Sequence, residues 1–222
     1  MVFVDFKKIL HIEGMEYIMK KFLVIMLSLV LLSGCSLFSD AVNVREIGKE
    51  VEKTISKYNE NEQKYIKMSS LSTEIGSIML SMQKTGLNQD SIKQMKDKHV
   101  EMNKLLTEYK AEIQKINEEL PVNQKKVDKI KKEKLKKLGD TFLANFKALL
   151  DSRLKIIEIT EKSLANEEEV LKSVESKKEF SRKLEDDMTK LEGEFLTLSN
   201  ESLQKTSAYN KSWQEFVNEV KK

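Results

Sequence analysis

The stretch Ile92-Lys-Gln-Met-Lys-Asp-Lys-His-Val-Glu-Met-Asn-Lys-Leu-Leu-Thr-Glu-Tyr-Lys-Ala-Glu-Ile-Gln-Lys-Ile-Asn-Glu-Glu-Leu120 decides the fold. Ile92, Met95, His99, Met102, Leu106, Tyr109, Ile113, Ile116 and Leu120 recur at alternating spacings of three and four without an error. Such a repeat sets all of them on one seam of a long helix, the pattern of helices that wind around each other with a left-handed twist. Pro121 disfavours helical geometry in the residue before it, so the helix is predicted to end at Leu120.

The same spacing holds upstream. Val44, Ile47, Val51, Thr54, Tyr58, Asn61, Tyr65, Met68, Ser72, Ile75, Met79 and Met82 form a seam whose polar members are Thr54, Asn61 and Ser72. Ile55, Ile66, Leu71 and Ile78 widen it into a stripe suited to a bundle. The small residues Ser69, Ser70, Ser72, Gly76, Ser77 and Ser81 suggest a place where a neighbouring helix approaches closely. Gly86 is the predicted stop of this helix, and Asn88 or Asp90 the cap of the next.

Downstream, a third helix is predicted from between Pro121 and Gln124 to about Val174. Its apolar side carries Leu135, Leu138, Phe142, Phe146, Leu149, Ile157, Leu164, Leu171 and Val174. The step from Phe142 to Phe146 is a stutter that locally unwinds a supercoil, and Gly139 just before it suggests a kink. After a weak turn at Ser176-Lys177-Lys178, a last helix carries Phe180, Leu184, Met188, Leu191, Phe195, Leu198, Tyr209, Trp213, Phe216 and Val220. Short connections make neighbours antiparallel. The expected fold is all-α: an elongated antiparallel bundle or coiled coil of three to four long helices over residues 42–222.

Ahead of the helices stands Met19-Lys-Lys-Phe-Leu-Val-Ile-Met-Leu-Ser-Leu-Val-Leu-Leu-Ser-Gly-Cys35. Two lysines, an apolar run from Phe22 to Leu32 and small residues before a cysteine have the anatomy of a secretory signal, too short to span a bilayer comfortably. Leu32-Ser33-Gly34-Cys35 resembles a lipobox. The resemblance implies cleavage after Gly34 and a diacylglycerol on Cys35, with residues 19–34 as signal peptide and 35–41 as lipidated cysteine and short tether. Residues 1–18 are then an N-terminal extension ahead of the natural start at Met19; a longer leader from Met15 or Met1 is the alternative. An uncleaved anchor with an incidental cysteine is the competing reading of the whole segment.

Composition limits the function classes. Removing residues 1–34 takes four of 39 basic and three of 36 acidic residues, leaving 35 and 33. That balance argues against a nucleic-acid partner, which calls for a basic excess. Cys35 is the sole cysteine, so no disulfide forms within one chain. His99 is the only histidine after Cys35 and sits on the seam without a second histidine or thiol, which favours a packing role over a metal ligand. No nucleophile elbow, HExxH or glycine-rich phosphate loop occurs. The chain reads as no enzyme, with no catalytic residue, metal site or cofactor.

The densest charge feature comprises Lys125, Lys126, Lys129, Lys131, Lys132, Lys134, Lys136 and Lys137, opposed only by Asp128 and Glu133. It forms a collar suited to an anionic polymer such as teichoic acid, or to phosphatidylglycerol headgroups; an ordinary solvated helix end is the favoured alternative. The acidic clusters Glu167-Glu168-Glu169 and Glu185-Asp186-Asp187 carry the same two readings. Tyr209, Trp213 and Phe216 suit core packing better than an exposed patch.

Lipobox, early helical body and the run Lys129-Ile-Lys-Lys-Glu-Lys-Leu-Lys-Lys-Leu138 together resemble the cell-wall-binding lipoproteins of Gram-positive bacteria. The resemblance implies a helical bundle anchored through Cys35 to the outer face of the cell membrane, non-enzymatic, with teichoic acid or peptidoglycan as partner. The alternative is a chaperone-like accessory lipoprotein that uses exposed seam surface, suggested by Thr54, Asn61 and Ser72, to hold another envelope or secreted protein.

Overall fold

The computed structural model describes residues 42–85, 88–176 and 181–220. The signal segment, Gly34, Cys35, the tether and Gly86 lie outside the described residues. Residues 40–222 form one compact unit. Among the described residues there are four helices and no strand: α1 (Val42–Thr85), α2 (Gln89–Val127), α3 (Glu133–Glu175) and α4 (Arg182–Val220). The all-α bundle expected from the seams is what the chain forms.

Helix starts follow local chemistry. Asn88, in extended conformation, accepts a hydrogen bond from the Ser91 amide at 2.8 Å and caps α2. Ser181 does the same for α4, its hydroxyl accepting from the Leu184 amide at 3.2 Å. Each cap satisfies an amide that has no partner inside the helix.

Side-chain pairs between helices give their direction. Lys57 meets Glu119 at 2.5 Å, Lys67 meets Glu101 at 2.9 Å, and Lys98 meets Glu74 at 2.5 Å. Numbers rise along α1 as they fall along α2, so the two are antiparallel. Asn117 with Asp151, Lys110 with Glu161 and Lys96 with Glu175 show the same for α2 and α3. Lys134 with Glu219 and Arg153 with Ser202 show it for α3 and α4. The surface ion pairs among them are each worth about 0–1 kcal/mol, so they report register more than they supply stability.

The core confirms the α2 seam in full: all nine of its residues are buried, with Tyr109, Ile113 and Ile116 at 0% exposure. The α1 seam needs a correction. Ser72 is exposed and Leu71 is buried in its place, because an apolar neighbour one position away gains more by facing the core. The small-residue cluster of α1 does not receive a helix. Ser70, Ser72, Ser77 and Ser81 are exposed, and a Cβ on Gly76 would meet nothing within 4 Å.

Two boundaries also move. α2 does not stop at Leu120; it runs through Pro121 to Val127, and α3 starts at Glu133. Pro121 removes one backbone hydrogen bond but lies on the exposed face. Beyond it, buried Asn123 donates to Thr54 Oγ1 at 3.1 Å and Val127 is 1% exposed. Tertiary contacts therefore carry the helix past its local breaker. The turn follows at Asp128–Lys132, with Lys129 and Ile130 amides donating three residues back at 3.1 and 3.0 Å and Ile130 buried.

Gly139 marks no interruption, since α3 is continuous there. A Cβ at this position would lie 2.8 Å from Val127 Cγ1 and 3.3 Å from Phe216 Cε2. The glycine lets the end of α2 and the last turns of α4 close on α3. Gly76→Ala and Gly193→Ala, with open space around them, are each expected to raise stability by about 0.5–1 kcal/mol. Gly139→Ala gives no such gain, because relieving the overlap costs about 1–3 kcal/mol; equal gains at all three in urea unfolding would show that this junction is loose.

Candidate functional site

Polar residues interrupt the seams of three helices at one level of the bundle. α1 contributes Asn61 and Glu62, α3 contributes Arg153 and α4 contributes Ser202; α2 adds the hydroxyl of Tyr109. Glu62 is 0% exposed and Arg153 4%. Arg153 Nη2 lies 2.9 Å from Glu62 Oε2, and its Nη1 donates to Ser202 Oγ at 3.1 Å. The Tyr109 hydroxyl donates to the other carboxylate oxygen of Glu62. The guanidinium carbon sits 4.6 Å from the centre of the Tyr65 ring, within cation–π range. Asn61 Nδ2 donates to the Tyr109 carbonyl at 3.2 Å.

Rings seal this layer on the side of the α2–α3 turn. Tyr58 packs edge-on against Phe146 at 5.4 Å between centroids and lies 6.1 Å from Tyr209. Phe146 and Tyr209 are 5.0 Å apart, and Phe142 meets Trp213 at 5.0 Å and stacks on Phe216 at 6.3 Å. Tyr209, Trp213 and Phe216 are thus core, as their spacing suggested.

Enclosure sets the electrostatics. Burial first, and the charge of Glu62 second, push the hydroxyls of Tyr58, Tyr109 and Tyr209 well above the ordinary phenol range. Burial also raises Tyr65. For Arg153 burial opposes the charge, but the Glu62 carboxylate beside it outweighs burial and holds the guanidinium protonated. The layer is a charged pair inside a cage of neutral tyrosines, held by contacts that join all four helices.

Linear reading missed Glu62 and Arg153, although one signal was present. Arg153 falls four residues after Leu149 and four before Ile157, filling the gap in the α3 seam, and its neighbours Leu150 and Ile156 are apolar too. In a chain whose bases are nearly all lysine, an arginine there marks a buried, forked partner.

The lysine collar resolves into two classes. Lys134 and Lys132 reach Glu219 of α4 at 2.7 and 3.1 Å, Lys126 reaches Glu50 of α1 at 3.3 Å, and Lys136 is 3.9 Å from Asp128. The two lysines hold the Glu219 carboxyl down at about 2. Lys125, Lys129, Lys131 and Lys137 are exposed, and among the described residues no carboxylate lies within 4.0 Å of them. The collar is therefore half structural and half open.

His99 is 2% exposed and its Nε2 lies 2.9 Å from Glu167 Oε2 of α3. The flanking acids point elsewhere: Asp97 is exposed, and Glu101 is engaged by Lys67, which lowers its pKa. The other acids of that cluster are Glu168, 3.4 Å from Asn103, and exposed Glu169. Among the described residues no three His, Cys, Asp or Glu side chains converge as a metal site, and no helix is long and apolar enough to cross a membrane. No family model, curated protein or solved structure matches the chain.

Breaking the pair should be costly and removing it cheap. Arg153→Met is expected to lose about 3–5 kcal/mol, since it leaves Glu62 charged and buried, while Glu62→Leu added to it recovers most of the loss. A loss under about 1 kcal/mol in urea unfolding of the single variant would mean that water reaches the layer.

The tyrosines give a second check. Their folded pKa values are raised above the unfolded value of 10.0. Their contribution is thus fully present below pH 10 and is lost as pH rises from there toward the folded values, because the unfolded chain sheds those protons first. Tyrosinate absorbance of the 40–222 body is expected to appear only together with loss of helical circular dichroism. Ionisation that precedes helix loss would contradict a sealed cage.

Proposed function

We propose that the chain is a lipid-anchored, non-enzymatic binding or spacer protein on the outer face of the cell membrane, facing the wall. One observation carries this reading. Among the described residues the buried charged side chains face partners on other helices: Glu62 faces Arg153, and Glu219 faces Lys132 and Lys134. What remains for function is surface, together with the lipobox pattern that ends seven residues ahead of Val42. The resemblance to cell-wall-binding lipoproteins supports the same placement, and teichoic acid and peptidoglycan are the ligands it suggests.

A second reading has its own support in α4. Met188, Leu191, Phe195 and Leu198 are half-buried, while Leu196 is 57% exposed and Leu203 36%. This half of α4 offers apolar surface to a protein, as an accessory lipoprotein holding an envelope or secreted chain would.

Metabolic labelling with palmitate in a Gram-positive host tests the anchor. The full chain is expected in the membrane fraction, labelled, and Cys35→Ala unlabelled and unprocessed. Membrane retention of an unlabelled wild-type chain would replace the lipid by an uncleaved anchor, and label that persists without Cys35 would place the lipid on another residue. Co-sedimentation of the 40–222 body with cell walls, before and after stripping teichoic acid, then separates polymer from peptidoglycan, and binding to neither points to a protein.

A further inference from the structure

The antiparallel order places the α2–α3 turn beside the start of α1. Lys126 contacts Glu50, eight residues into that helix, and the turn continues beyond Lys126. The four open lysines, Lys125, Lys129, Lys131 and Lys137, therefore project from the end of the bundle at which the chain from Cys35 arrives. We infer that this lysine-bearing end docks on the anionic headgroups of the membrane itself, not on the wall, and holds the bundle end-on to the lipid surface. The inference rests on the reading that Cys35 carries the lipid.

Reach is the first argument. Seven residues from Cys35 to Val42 span at most about 25 Å when fully extended, and the eight residues to Glu50 add about 12 Å of helix. A tether folded back along the lipid surface brings the lysines into the headgroup zone. Lysines at the opposite end, such as Lys93 and Lys172, lie about nine helical turns or more farther along the axis. A charged surface is screened beyond about 8 Å at physiological salt, so only the near end can feel it.

Presentation is the second argument. Ile130 and Val127 are buried beneath the turn, and Glu219 holds Lys132 and Lys134 against α4. The turn is thereby fixed from inside, which keeps the open lysines pointing outward. The acids of the same turn are Asp128, drawn to Lys136, and exposed Glu133. They leave a clear excess of positive charge, complementary to phosphatidylglycerol.

The test uses the unlipidated 40–222 body, whose core is built wholly from its own four helices. Its binding to vesicles of phosphatidylglycerol mixed with phosphatidylcholine is compared with binding to phosphatidylcholine alone. Binding is expected only with the anionic lipid, and to weaken steeply between about 50 and about 500 mM NaCl. Substituting Lys125, Lys129, Lys131 and Lys137 by Gln should weaken it about fivefold per lysine, the equivalent of about 1 kcal/mol each. Lys93→Gln with Lys172→Gln and Lys183→Gln should leave it unchanged. Equal binding to both vesicles, equal loss from the far-end set, or binding to teichoic-acid-bearing walls through the four lysines without binding to vesicles would each overturn the proposal. If the four-lysine variant loses helix content, the salt titration of the unsubstituted body decides, and a flat response overturns it. Because the body carries no lipid, failure here leaves the anchor at Cys35 standing, and failure of palmitate labelling leaves the vesicle result standing.

Discussion

A carboxylate and a guanidinium taken out of water fix the arrangement of these helices. Glu62 and Arg153 belong to α1 and α3, which are not consecutive in the chain, and each is satisfied by further helices: Tyr109 of α2 and Ser202 of α4. Long apolar seams by themselves tolerate sliding, since one turn of displacement brings one leucine against another. Here a slip of about 5.4 Å would leave two buried charges without partners, at a cost of several kcal/mol. The pair adds little net stability over well-packed apolar residues. Its effect is on the alternatives, all of which it makes worse.

The two halves of the bundle differ in how they are closed. On the side of the α2–α3 turn, Phe142, Phe146, Tyr58, Tyr209 and Phe216 interlock, and Gly139 allows α2 and α4 to meet over α3. On the other side, α1 to α3 keep buried Met68, Leu71, Met95, Met102, Leu164 and Leu171, while α4 between Leu184 and Ser202 has only half-buried or exposed residues. Opening free energies follow local burial. The first half of α4 is therefore the segment that separates most easily from the rest, and its apolar face becomes available at least cost.

Much of the fold was legible because helices with a sustained seam advertise themselves. The α2 seam from Ile92 to Leu120 was right at every position, and Asn88 capped where its side chain allows. The failures share one cause, which is that local signals lose to contacts between distant residues. Pro121 reads as a stop, yet Asn123 and Val127 have partners in α1 and α3 that hold the helix beyond it. Gly139 reads as a kink, yet its meaning lies in Val127 and Phe216. Glu62 looks like one more surface acid until Arg153, 91 positions away, is placed beside it. His99 likewise appears isolated until α3 brings Glu167. The collar was visible as composition, but its division into paired and open lysines depends on Glu50 and Glu219.

These features together bear on how such a protein divides its surface. Glu219 is 7% exposed and pairs with two lysines, Lys132 and Lys134, so the basic end is not simply a region of unbalanced composition. Part of its charge is invested in tying α4 to α3, and the rest is left at the rim. The tight aromatic half lies directly behind that rim, which gives the lysines a stiff base. The looser half, with the exposed face of α4, lies toward the other end. A helix of 39 residues is about 58 Å long, several times the screening length of physiological salt. Charge at one end and apolar surface toward the other therefore act independently, and contact made by the first need not occupy the second. A bundle anchored by its rigid basic end would keep its most separable helix farthest from the lipid, where a polymer or protein of the envelope can reach it.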